Sequence, residues 1–111
     1  MKFNKFKVFF FVPEENFNTV IQALRDADIN SLGEYKNCMS WTAVESTWTS
    51  MENANPYNGV PGEVTVAREY KVEFLCEEEN LEHAVQIIRK CHPYEEVEID
   101  IYPIIYGMDL L

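Results

Sequence analysis

Displaced by 64 positions, the chain matches itself. Lys7-Val8-Phe9-Phe10-Phe11-Val12 falls on Lys71-Val72-Glu73-Phe74-Leu75-Cys76, and Glu14-Glu15-Asn16-Phe17 falls on Glu78-Glu79-Asn80-Leu81. Gln22 and Arg25 fall on Gln86 and Arg89. Eight of the nineteen positions compared are identical, against roughly one in twenty expected from average residue usage. Such self-similarity constrains a fold more than any local pattern, because each copy has to form the same unit. Two copies in 111 residues make a duplicated domain and not a solenoid, since a chain of this length supports a single hydrophobic core. Residues 1–111 therefore read as one domain.

Each copy reads as strand, cap, helix, strand. Phe6, Val8, Phe10 and Val12 alternate in the manner of a strand. Asn16 then offers a side-chain oxygen to the free amides of a helix, with Glu14 and Glu15 near its positive end. Phe17, Val20, Ile21, Leu24 and Ala27 follow as one apolar stripe at helical spacing. The second copy repeats this with Val72 and Phe74, the cap Asn80, and the stripe Leu81, Ala84, Val85, Ile88 and Cys91. Pro93 stops that helix, because it has no amide and disfavours helical geometry at His92. A long strand is expected from Tyr35 to about Thr49, and a last one where Val97, Ile99 and Ile101 alternate with Glu96, Glu98, Asp100 and Tyr102. The order βαββαβ predicts an α+β, ferredoxin-like sandwich: a four-stranded antiparallel sheet with two helices on one face. The other face is then bare. Phe9, Phe11 and Leu75 point to it if Val8, Phe10 and Phe74 point inward, and two phenylalanines left in water predict a partner sheet, most simply a second copy of the chain.

Charge and cysteine content narrow the function classes. Nine Lys and Arg against nineteen Asp and Glu leave −10, which repels phosphate backbones and anionic lipid, so neither nucleic acid nor membrane is an expected partner. The longest apolar run, Val8 to Val12, is too short to cross a bilayer, and Met1 to Lys7 lacks the apolar core and cleavage site of a signal peptide. Cys38, Cys76 and Cys91 are odd in number and without CxxC spacing. They read as free thiols of a reducing cytoplasm.

The sharpest local cluster is His92-Pro93-Tyr94-Glu95-Glu96. An imidazole beside carboxylates is the donor set of a divalent metal such as Zn or Cu, with His92 and Glu95 as its candidate ligands. One chain supplies only one or two of the three or four ligands zinc uses, so such a site has to be shared between subunits. The plain alternative is a helix stop with Tyr94 packed and the acids solvated. His83, off its helix's apolar stripe, reads as a surface residue. Between Ser50 and Gly62, Asn55-Pro56-Tyr57-Asn58-Gly59 and Pro61-Gly62 signal turns. That connection is either a loop carrying ligand or partner contacts or an ordered tip that locks subunits together. Trp41 and Trp48 are expected to pack at a subunit boundary. There is no nucleophile elbow, phosphate-binding glycine loop or HExxH motif, and no acid, base and nucleophile assemble into a catalytic set.

Three segments together carry a resemblance: Gly33-Glu34-Tyr35-Lys36-Asn37-Cys38, then Ala54-Asn55-Pro56-Tyr57-Asn58-Gly59, then His92-Pro93-Tyr94-Glu95-Glu96 running into Asp100-Ile101-Tyr102-Pro103. In this order and spacing they resemble the small domain inserted in YqfO-like members of the NGG-interacting-factor-three-like proteins and its free-standing relatives. The likeness runs from about Lys7 to Pro103. That domain in turn resembles P-II signalling proteins and CutA divalent-cation-tolerance proteins, which implies a trimer with sheets facing inward and a role for the 50–62 loop in signalling. The parent family's two-metal site lies in its flanking domain, so a hydrolase or cyclohydrolase activity is not implied here. The chain departs from the family at Val44-Glu45-Ser46-Thr47-Trp48, where a Gly-Thr-Gly-like stretch is usual. The reading that follows is a non-enzymatic, cytoplasmic, homotrimeric binding or regulatory module. A divalent-metal-binding protein using His92 and nearby acids, and a small enzyme with an inter-subunit site, are the alternatives.

Overall fold

The repeat folds into two equivalent β-α units. In the computed structural model, which describes residues 2–111, β1 (Lys5–Pro13), α1 (Phe17–Ala27), β2 (Met39–Thr49), β3 (Val64–Glu77), α2 (Leu81–Cys91) and β4 (Ile99–Ile104) follow in that order. The four strands form one antiparallel sheet, ordered β2-β3-β1-β4. Inward residues Val8, Phe10 and Val12 of β1 and Val72, Phe74 and Cys76 of β3 are buried together with Val20, Ile21 and Leu24 of α1 and Ala84 and Ile88 of α2. Both helices thus lie on one face, as the α+β ferredoxin-like reading requires. The ladder between β1 and β3 carries the duplication: Val8 pairs with Phe74 and Phe10 with Val72. Exchanging each residue for its repeat equivalent turns one pair into the other, which is the signature of a twofold relation between the units.

Three local expectations are corrected. Asn16 and Asn80 do not cap their helices: both have φ near the helical range, at −105° and −103°, and neither makes a side-chain capping bond. A 3₁₀ turn, Glu14–Asn16 and Glu78–Asn80, precedes each helix. The amides of Phe17 and Leu81 are therefore already taken by the carbonyls of Glu14 and Glu78. The long strand from Tyr35 is broken as well. Tyr35–Lys36 pairs instead with Ser31–Leu32 as a separate small hairpin, and Asn37, at φ +56°, turns the chain before β2 begins at Met39. The third correction concerns Phe9, which is only 8 % exposed on the helix-free face. Tyr102 stacks on it at 5.5 Å, Phe11 meets it edge-on at 6.1 Å, and the Lys71 ammonium sits 4.4 Å over its ring. The chain covers this ring itself, so the bare apolar patch is smaller than strand alternation predicts.

The sheet also extends beyond its body. β1 ends at Pro13 opposite Glu69, so Val64 to Arg68 pair only with Glu45 to Thr49. This two-stranded arm lengthens the molecule to 51 Å along its major axis and gives a radius of gyration of 15.6 Å, against about 13 Å for a compact domain of this size. No helix is long and apolar enough to cross a membrane among the described residues.

Candidate functional site

The His92–Glu96 corner follows directly from the end of α2. The Ile88 carbonyl accepts the His92 amide at 3.0 Å, and His92 itself is extended at ψ 139°, as the following proline demands. The imidazole turns inward, is 7 % exposed, and meets the edge of the Phe10 ring. Its Nε2 lies 2.6 Å from the Phe11 carbonyl oxygen, and its Nδ1 accepts the Tyr94 amide at 3.1 Å. A carbonyl only accepts and an amide only donates, so the ring is neutral with its proton on Nε2. Burial holds its pKa below the usual histidine value, partly offset by the Phe11 carbonyl and Glu69. Within the chain this is the work of a structural histidine pinning the corner to β1. Among the described residues, no three of His, Cys, Asp and Glu gather closely enough to hold a metal ion.

Pinning the corner aims Tyr94 across the end of the sheet. Its hydroxyl donates to the Glu69 carboxylate at 2.5 Å, and its ring packs against those of Trp48 at 5.6 Å and Tyr57 at 6.0 Å. Burial first, and then the Glu69 carboxylate, push the phenol's pKa well up. The 50–62 loop folds down to meet this corner. Asn55 donates its amide to Glu95 Oε2 at 3.1 Å, and Tyr57 donates its hydroxyl to Glu15 Oε1 at 2.9 Å. Gly62 closes the loop base by donating to the Ser50 carbonyl at 2.7 Å. Gly59 is held at φ +103°, with Thr65 where a β-carbon would stand, which explains a glycine there.

Between loop, corner and helix-free sheet face lies a cleft of about 800 Å³, within the range of small-molecule sites. Phe11, Trp48, Tyr57 and Tyr94 supply aromatic walls, and Glu69, Glu95, Glu96 and Glu98 supply carboxylates. Of the loop residues singled out in the sequence, Pro56, Tyr57 and Asn58 line the cleft, Asn55 braces it through Glu95, and Gly59 shapes the turn. Glu95 faces the cleft while His92 is committed beneath it. Loop and corner meet within one chain, with no subunit boundary between them. Trp41 and Trp48, seven residues apart, point to opposite faces: Trp41 packs on Phe17 at 4.9 Å on the helix side. Glu69 was missed. Alternation puts it on the solvated face, but Tyr94 covers it and leaves it 2 % exposed; no short-range pattern links residues so far apart.

By fold, this is a P-II/CutA-like α+β chain, with a cleft at the base of its long hairpin. No protein-family profile matches the chain. It is 31% identical over 98 residues to the GTP cyclohydrolase 1 type 2 homolog of Bacillus subtilis, and 31% identical over 99 residues to that of Halalkalibacterium halodurans. These alignments cover 88% and 89% of this chain but only 26% and 27% of the relatives, so the chain spans about a quarter of their length. A Bacillus cereus protein related to NIF3 superposes with a TM-score of 0.80 at 26% identity, over 94% of this chain and 26% of that one. CutA1 from Shewanella sp. SIB1 superposes with a TM-score of 0.72 at 22% identity, over 99% of this chain and 92% of its own. For GlnK of Bacillus subtilis the TM-score is 0.62 at 18% identity, over 91% and 85%. The chain belongs with the CutA-like segment of the YqfO-type, NGG-interacting-factor-three-like proteins.

Proposed function

We propose that this chain is a cytoplasmic, homotrimeric, non-enzymatic binding module of the P-II/CutA type, and that its ligand occupies the cleft between the 50–62 loop and the His92–Glu96 corner. The cleft carries this reading. Its walls come from four separate stretches of chain, held by Asn55–Glu95, Tyr57–Glu15 and Tyr94–Glu69 hydrogen bonds. A ligand there touches the loop and the sheet at once, so its presence can be passed along the hairpin. The arm supports assembly: an isolated two-stranded ribbon is marginal in water, yet this one exposes Val64 and Val66. Covering those side chains with a neighbouring copy removes an exposed apolar row and an open sheet edge together. The three unpaired cysteines suit a reducing compartment. Light scattering at micromolar concentration tests the assembly. Three copies of a 13.0 kDa chain are expected, and a clean monomer mass would sink the trimer.

A further inference from the structure

The cleft's chemistry is one-sided. Four carboxylates, Glu69, Glu95, Glu96 and Glu98, line it, and no lysine, arginine or histidine does. The ion pairs found among the described residues, Lys5–Asp109 and Lys36–Asp28, involve none of them. Glu69 is the telling member. It is almost fully enclosed and accepts from a neutral phenol, the Tyr94 hydroxyl, although a buried carboxylate ordinarily holds a cation. Lys71, two residues along the same face, is turned away over the Phe9 ring. At the mouth, Glu98 stands close to Asp100, whose carboxyl group first, and then desolvation and the charge of Glu69, hold the Glu98 pKa above the usual carboxylate value. Beside these acids stand Trp48, Tyr57 and Tyr94, the Tyr94 ring meeting Trp48 edge-on at 5.6 Å and Tyr57 at a tilt at 6.0 Å, and an aromatic ring attracts a cation placed over its face.

We infer that the cleft binds an organic cation, a substituted ammonium or guanidinium group, between its aromatic walls and its carboxylates. This rests on the cleft being a binding site as proposed above, and it names the class of ligand. Phosphate-bearing ligands are disfavoured, since nothing cationic lines the site to receive them. A compact metal ion is a poorer match, because its ligands must converge on one point and no such cluster is found among the described residues. An organic cation spreads its charge over a volume that rings and dispersed carboxylates can surround.

The test uses Trp48 fluorescence in a Trp41→Phe variant. Trp41 lies on the other face, so the remaining signal reports the cleft. Tetramethylammonium chloride and agmatine are titrated beside neopentyl alcohol as the neutral control, sodium ATP and zinc chloride. Saturable responses to the two organic cations alone are expected. With Glu96→Gln and Glu98→Gln added, their affinity should fall by about ten-fold; both side chains are exposed, so the fold is preserved. A response to ATP or to zinc without one to the organic cations overturns the assignment while leaving the cleft a binding site. A signal that follows protein concentration and no probe means a second copy fills the cleft, which overturns it too. Silence to every probe and every dilution overturns both this inference and the binding function beneath it.

Discussion

His92 shows how one side chain can hold a corner and set a pH response. Its Nε2–H is committed to Phe11 and its Nδ1 to Tyr94, so protonation in the folded state breaks the second bond. Burial lowers the native pKa, and the unfolded chain therefore takes up the proton first as pH falls. The stabilisation is present above the ordinary value of about 6.5 and is lost as pH drops below it toward the native pKa. Urea midpoints at about pH 7.5 and 5.5, a range above most carboxylate titration, should differ more in the wild type than in His92→Gln, which keeps a donor for Phe11. Equal differences would mean that His92 titrates alike in both states. Gly59 is a second residue-scale constraint. Alanine there combines a positive φ with a clash against the Thr65 side chain. Thermal denaturation of Gly59→Ala should show a loss of about 1–3 kcal/mol, and an unchanged melting temperature would mean that the turn relaxes freely.

At the scale of elements, the duplicated units share boundaries but not their polar bookkeeping. Asn16 and Asn80 occupy equivalent positions ahead of α1 and α2, and neither caps. The Asn16 Oδ1 is buried without a partner, whereas the Asn80 amide donates to the Ile29 carbonyl at 3.2 Å. Removing an unsatisfied group is nearly neutral, while removing a bonded donor costs about 0.5–1.5 kcal/mol. Asn16→Ala should leave the urea midpoint almost unmoved, and Asn80→Ala should lower it. Equal losses in the two variants would restore a capping role to both. Cys76 and Cys91 behave as small apolar residues within these elements. Cys76 is buried on β3, and burial pushes its thiol up to about 11, leaving almost no thiolate near neutrality.

For the whole molecule, the arm decides how assembly is tested. Phe9 is an unsuitable position, since its ring is already packed on Tyr102 within the chain and a charge there would damage the monomer. Val64 and Val66 are better placed, at 73% and 64% exposed. Val64→Glu with Val66→Glu should preserve the circular-dichroism spectrum and halt the chain at monomer mass by light scattering. An oligomer that survives this pair would have its contact elsewhere.

The architecture was legible because it rests on local periodicity and on repetition. Val8, Phe10 and Val12 announce one strand face, Val20, Ile21 and Leu24 one helix stripe, and the second copy repeats both in the same order. Such patterns follow from residue spacing alone and survive without knowledge of neighbours. The site did not follow from spacing. Loop residues 55 to 59 and the corner from His92 were visible as turn signals, but their closure through Asn55 and Glu95 spans 40 residues. The burial of Glu69 depends on Tyr94 arriving from 25 residues away. Strand alternation assigns a face, and it cannot say what else will come to lie on that face. Packing between distant segments covered Phe9, committed both nitrogens of His92 and gathered four carboxylates around aromatic rings, so the chemistry of the cleft was decided only by the tertiary structure.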